Sequence, residues 1–252
     1  MNINNSNFFS IVTVIFNDLE GIKKTRNSIV VQNCKDFEWI VIDGNSTDGT
    51  VEFLKQEQLI TNWISETDSG IYDAMNKGIE LSTGKYIVFM NAGDYFSNSF
   101  VLDKVKTHLD NCGSPDVLFG GATLLFHTNS RKYYRKPKSI EKYIWHGLPA
   151  IHQATYYKSS NLKKIKYDIS YKICGDYYII AKLFKEGIDA SYLDLSIVDF
   201  SVGGLSYQNP VKQFIETFRI QKKVLKISIW LRCMSLLKRF YSIMGLFIHS
   251  KL

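Results

Sequence analysis

Four times in the first ninety-four residues a short apolar run gives way to a polar turn, and three of those turns open a segment with helical spacing. Residues 9–16 are a continuous β-branched and aromatic run that ends on Asn17 and Asp18, after which Leu19, Ile22, Ile29 and Val30 recur near the helical period. Residues 37–42 repeat the pattern and run into Asp43-Gly-Asn-Ser-Thr-Asp48-Gly-Thr50, a cluster of turn and cap residues ahead of a helical segment at 51–55. Residues 63–66 form a short third run, Asp68-Ser-Gly70 opens a helix over 71–81, and residues 85–90 lead into Asn91-Ala-Gly-Asp94. Strands alternating with helices through short polar connections predict an α/β fold, with a mostly parallel central sheet flanked by helices. Ligands of such a sheet sit outside the carboxyl ends of its strands, and Asp43 and Asp94 stand at two such ends.

Beyond residue 100 the order changes. The spacing predicts a helix over 100–109, an extended strand over 116–126 kinked at Gly120-Gly121, a turn at 127–130 into a strand at 132–134, and a short helix over 139–146. A strand over 148–157 carries His152 and Gln153, a helical pattern over 174–184 carries Asp176, and a last strand spans 191–200. Gly203-Gly204 reads as a flexible loop, and Pro210 starts a helical tail.

With 252 residues, 45% of them hydrophobic, the chain can bury the core of one domain with an appendage. Its four cysteines are scattered without a CxxC pair, which points away from a zinc site or disulfide framework and toward a reducing, cytoplasmic setting. The polar, Asn-rich first ten residues are unlike a secretory signal. The charge is uneven: from residue 207 onward nine Lys and Arg face one acid, Glu216, whereas the whole chain carries +7. Aromatic residues interleave those cations, which suits an anionic membrane surface better than nucleic acid. Packing on the domain or a homodimer contact remain open for this tail, and it holds no uncharged run of the ~18 residues that a membrane span needs.

Four carboxylates occupy positions that chemistry can use. Asp48 sits in good turn sequence and reads as a cap. Asp43 ends a β-run directly and can accept from a nucleobase N–H or close its own turn. Asp94 can hold a divalent cation bridging a diphosphate, Asn91 adding a neutral oxygen or serving as a turn residue. Asp176, at the start of a helix, is equally suited to act as a general base or to favour the helix dipole. His152 reads as a ligand, a proton shuttle or a buried structural histidine. Neither GxGxxG nor GxxxxGK[ST] occurs, so dinucleotide and P-loop readings fail.

Together these segments resemble the family 2 glycosyltransferases over roughly residues 8–205. Residues 10–17 look like the family's first strand, whose end, here Phe16, packs on the uracil. Residues 41–50 are similar to its VDDGSTDGT signature, in which Asp43 binds the base, and residues 68–78 look like the segment beside the nucleotide, carrying Asn76. Asn91-Ala-Gly-Asp94 occupies the place of the metal-binding DxD motif, and Cys174-Gly-Asp176 that of the catalytic base. The resemblance implies a GT-A nucleotide-diphosphosugar transferase fold over 1–206, with a nucleotide-sugar half at about 8–98, an acceptor half at about 99–206, and a basic helical extension over 207–252. It implies inverting transfer from a UDP-sugar to a lipid-linked or oligosaccharide acceptor, in bacterial surface polysaccharide synthesis of the colanic acid, O-antigen or capsule type. Asp176 would be the base, Asp94 the ligand of Mg2+ or Mn2+, Asn91 a neighbour of the ribose or metal, and His152, Gly203 and Gly204 would line the acceptor side or its lid. The location implied is cytoplasmic, peripheral to the inner face of the plasma membrane. Two acids of the metal motif are absent, so a catalytically degenerate nucleotide-sugar or glycan-binding partner is the alternative.

Overall fold

The computed structural model describes residues 7–126, 132–201 and 209–238. Strand β1 (Phe9–Ile15) is buried along its whole length, as expected for a strand covered on both faces, and pairs in parallel with β2 (Phe37–Asp43) and β4 (Tyr86–Phe89). β3 (Asn62–Ser65) extends the parallel array from β2. Helices α1 (Leu19–Val30), α2 (Thr50–Gln56) and α3 (Ile71–Leu81) make the connections. Asp18 caps α1 by accepting from Gly21 N at 2.9 Å, a contact that leaves no room for a Cβ on Gly21.

The second half turns the sheet from parallel to mixed. β8 (Thr155–Lys158) lies antiparallel between β4 and β6 (Val117–Leu125), which pairs in parallel with β9 (Ala190–Ser201). β5 (Tyr95–Phe96) lies antiparallel to β9, and β7 (Lys132–Arg135) antiparallel to β6, so the order is β3-β2-β1-β4-β8-β6-β9-β5 with β7 off the path. The register of β6 against β9 slips at Gly120-Gly121, where the kink was expected. Helices α4 (Val101–Asn111), α5 (Ile140–Tyr143), α6 (Ser159–Ile165) and α7 (Gly175–Glu186) complete the described domain.

Alternate strand residues feed two hydrophobic layers. Val12, Val14, Ile40 and Ile42 pack with α3 and α7, whereas Ile11, Ile15, Trp39 and Val41 pack with α1 and α4. At the amino ends of the strands the buried Glu38 is fully engaged, accepting from Ser10 Oγ, Thr83 N, Thr83 Oγ1 and Gly84 N.

One expectation changes. Instead of a strand over 148–157, His152–Ala154 is a 3-10 helix and only Thr155–Lys158 is extended, Pro149 having no N–H to give a ladder. The described part of the tail packs on the domain, one of the contacts left open for it. Helix α8 (Pro210–Lys223) buries Glu216, Thr217, Ile220 and Gln221, and Gln221 donates to Trp145 O and to Ser235 Oγ on the helical stretch 229–238. Val211, Ile215, Trp230 and Leu237 stay exposed on the outer side. Among the described residues no helix is long and apolar enough to cross a membrane.

Candidate functional site

Past β4 the chain keeps step with β1, through Met90 N to Val12 O and Ala92 N to Val14 O, and then closes a turn by Asp94 N to Asn91 O at 3.0 Å. Gly93 supplies the left-handed corner at φ 89°. The buried Thr25 of α1 fastens that turn, its hydroxyl donating to Asp94 O at 2.8 Å and accepting from Gly93 N at 3.0 Å. Asp94 therefore has a fixed backbone although it lies on a loop.

The 3-10 helix stands across from this turn, and its first two residues reach two different carboxylates. Gln153 Nε2 donates to Asp94 Oδ2 at 2.9 Å, and His152 Nδ1 lies 2.9 Å from Asp176 Oδ2. The other ring nitrogen, Nε2, lies 3.3 Å from Asn91 Nδ2. Asn91 and Asp94 of one motif, His152 and Asp176, from three separate parts of the sequence, thus meet in one polar cluster. Burial pushes the Asp94 carboxyl up, with Gln153, His152 and Lys24 opposing. For His152 burial opposes the charge, but the carboxylates of Asp176 and then Asp94 outweigh it and the imidazole is raised.

Asp176 Oδ1 is buried without a hydrogen-bond partner, as are Asn91 Oδ1 and the hydroxyls of Tyr157 and Tyr167. Unpaired buried acceptors are costly, and in native proteins such atoms mark places where a ligand or a proton is handled. The hydroxyls of Tyr72, Tyr157 and Tyr167 are pushed well up, first by burial and in part by the charge of Asp176. Tyr72 also explains why a glycine precedes Asp176: a Cβ on Gly175 would fall 2.6 Å from the Tyr72 ring, whose hydroxyl donates to Ile173 O.

The other expected residues are placed differently. Phe16 is 65% exposed at the end of β1, free to offer a ring face. Asp43 is fully buried; it accepts from Ser46 N and Ser46 Oγ and from Ser65 Oγ, so its carboxylate closes the turn beneath Phe16. Asp48 sits in the turn that its sequence indicated, accepting from Leu19 N, Thr50 N and Thr50 Oγ1, while Gly49 is the N-cap residue of α2. Asn76 spends both ends of its amide on the backbone of Tyr167, at 2.9 and 2.8 Å, and so clamps α3 to the segment before α7. Gly203 and Gly204 lie outside the described residues.

Thr25, Lys24 and Gln153 had no role in the sequence reading, and neither did Glu216. Glu216 accepts from the backbone N–H groups of Lys172, Ile173 and Cys174, each at 2.9 Å, immediately ahead of Asp176. Its signal was visible, the single acid in a basic tail. Among the described residues no three His, Cys, Asp or Glu side chains converge on a metal position. What the 91–94 turn offers a cation is the second oxygen of Asp94 with the orphaned Asn91 Oδ1. Those are hard oxygen donors, and they fit Mg2+ or Mn2+, which are commonly held by one or two carboxylates with phosphate and water completing the shell.

A family model described as "Glycosyl transferase family 2" matches residues 10–186. An uncharacterised glycosyltransferase of Mycobacterium tuberculosis is 34% identical over 69% of this chain and 67% of its own length. A PGL/p-HBAD biosynthesis glycosyltransferase of Mycobacterium bovis is 27% identical over 82% of each. Among solved structures, S. aureus TarS 1-349 in complex with UDP-GlcNAc superposes with a TM-score of 0.68 at 18% identity, over 84% of this chain and 65% of that one. The mannosyltransferase PcManGT from Pyrobaculum calidifontis, in complex with GDP-Man and Mn2+, gives 0.61 at 16% identity over 84% and 64%. The chain thus spans slightly less than two thirds of these solved structures.

Proposed function

The chain belongs to the family 2 glycosyltransferases, with the GT-A fold, and on that premise we propose that it transfers a sugar from a UDP-sugar to a hydroxyl of a lipid-linked or oligosaccharide acceptor, with inversion, in the synthesis of a bacterial surface polysaccharide. The observation that supports this reading is that adjacent residues of one 3-10 turn bond Asp94 and Asp176, the two carboxylates proposed for the diphosphate side and for the base.

Phe16 gives the uracil a face to stack on, and Asp43 with Ser46 and Ser65 holds the turn below it. Lys24, over the Tyr95 ring and with its charge acting on Asp94, is the cation proposed to attract the diphosphate. A divalent cation held by Asp94 and Asn91 would supply charge to offset that developing on the leaving UDP. Asp176 takes the proton from the acceptor hydroxyl as its oxygen bonds to the anomeric carbon, and the bond from that carbon to the diphosphate oxygen breaks on the opposite face. Position and charge stabilisation then account for most of the rate. The outer side of α8, of residues 229–238 and of the connection between them, with Val211, Ile215, Trp230, Lys212 and Lys226 exposed, is proposed to rest on an anionic membrane surface and to bring a lipid-linked acceptor near.

The test is UDP-sugar turnover and UDP binding with and without Mn2+, comparing the natural chain with Asp94→Ala and Asp176→Asn. Transfer that is lost in Asp176→Asn with donor binding kept, and Mn2+-dependent UDP binding that is lost in Asp94→Ala, are the expected results. UDP binding indifferent to Mn2+ and to Asp94→Ala, with no turnover of any donor, would favour the binding-partner reading.

A further inference from the structure

The lone histidine of the 3-10 turn has a more specific job than filling the cluster. Its ring joins Asp176 on one side and Asn91 on the other, and the next residue in the chain, Gln153, holds Asp94. His152 makes the 2.9 Å hydrogen bond to the Asp176 carboxylate, and the buried Tyr167 hydroxyl lies close enough to Asp176 to feel its charge and its hydrogen-bonding pull. The His152 bond selects one of the staggered positions that the Asp176 side chain can take about its Cα–Cβ bond.

We propose that His152 is a positioning residue that fixes the rotamer of Asp176 through its Nδ1, and that the turn His152–Ala154, anchored on Asp94 by Gln153, sets the spacing between the base and the diphosphate side. With Asn91 Nδ2 donating to Nε2, the ring proton lies on Nδ1 and is donated to Asp176 Oδ2, which fixes the plane of a carboxylate whose other oxygen is buried. The orienting group is therefore borrowed from the same turn that supports the 91–94 loop. Displacing that loop on donor binding would shift the base with it. This inference rests on Asp176 being the base.

Chemistry provides a discriminating pair of variants. An asparagine places its Nδ2 where imidazole has Nδ1, so His152→Asn keeps the bond to Asp176 and gives up the one to Asn91. A glutamine reaches the Nε2 position instead, so His152→Gln keeps the Asn91 side and releases Asp176. Steady-state kinetics with the UDP-sugar that the natural chain turns over, together with melting temperature and UDP affinity for each variant, read the difference. The expected result is that His152→Asn retains kcat within about threefold, while His152→Gln and His152→Ala lose roughly 10–100-fold in kcat, the scale on which residues that orient a functional ligand act. Donor KM and UDP affinity stay unchanged, and adding His152→Gln to Asp176→Asn costs nothing further. Equal turnover in the Asn and Gln variants, or a loss carried by donor KM, overturns the proposal. Full turnover in Asp176→Asn sinks the base assignment itself, whereas an inactive Asp176→Asn beside a fully active His152→Gln removes only the positioning role.

Discussion

Glu216→Ala is the change whose effect the structure specifies most fully. The carboxylate is 6% exposed and receives three backbone N–H groups, Lys172 to Oε1 and Ile173 and Cys174 to Oε2, just ahead of the first residue of α7. Cys174, at the cap position, makes no side-chain cap bond, so Glu216 serves as the cap from forty residues away and faces the positive end of the helix. A hydrogen bond to a charged group contributes about 1.5–3 kcal/mol, and three of them would sum to well above 4. Lys172 is exposed and Ile173 half-buried, so water relieves two of the three donors once the carboxylate is gone, and about 3 kcal/mol is the expected loss. For a chain of this size that lowers the melting temperature by about 6–12 °C. Glu216→Gln keeps one acceptor oxygen for Ile173 and Cys174 but turns an NH2 toward Lys172 N, so roughly half the loss is expected. Thermal melts followed by circular dichroism measure both. Since these donors lead directly into Asp176, kcat should fall in Glu216→Ala at temperatures where the protein remains folded, with UDP affinity kept. A melting point within about 2 °C of the natural chain would refute the argument that Glu216 caps α7.

Phe16→Ala should weaken UDP binding by about 1–3 kcal/mol, the scale of a base stacked on an aromatic ring, without moving the melting temperature; calorimetry decides. Because burial raises the Asp94 carboxyl, ionising it costs stability as pH climbs above its ordinary value near ~4. Asp94→Asn should therefore melt no lower than the natural chain at pH 7 while losing Mn2+-dependent UDP binding, and a clear drop in melting temperature would contradict the assigned cause. His152 is raised, so the stability from its pairing with Asp176 is complete below ~6.5 and fades as pH rises through the higher folded value. The difference in melting temperature between the natural chain and His152→Asn should shrink across that window; a constant difference would show that the imidazole does not titrate there.

The parallel half of the fold was legible because strands buried on both faces are written as predominantly apolar runs, and β1, β2 and β4 are, with Ser10, Thr13, Glu38 and the terminal Asp43 as buried polar exceptions. Asp94 and Asp176 were legible by position. What a carboxylate bonds to was not. Asp43 and Asp94 follow strands in the same manner, yet Ser46 and Ser65 occupy the first on both oxygens, while Gln153 takes one oxygen of the second. Those partners come from distant segments that only the tertiary fold brings together. Asn76 shows the converse: a residue in a well-matched motif whose amide is committed to Tyr167. Residues 148–157 look extended because Ala150, Ile151 and Ala154 are apolar, but Pro149 weakens a strand and Thr155 Oγ1 bonds back to Ile151 O, as in a helical turn.

The dependence of α7 on Glu216 also bears on how the chain comes into being. A chain emerging from the ribosome presents its first four strands early and can fold them as a local parallel array. The start of α7, however, is braced by a residue made about forty positions after it. Until Glu216 has emerged and α8 has docked, the nascent chain has its parallel strands but not the bonds that hold residues 172–174, so on the function proposed above the donor side is built before the base is seated.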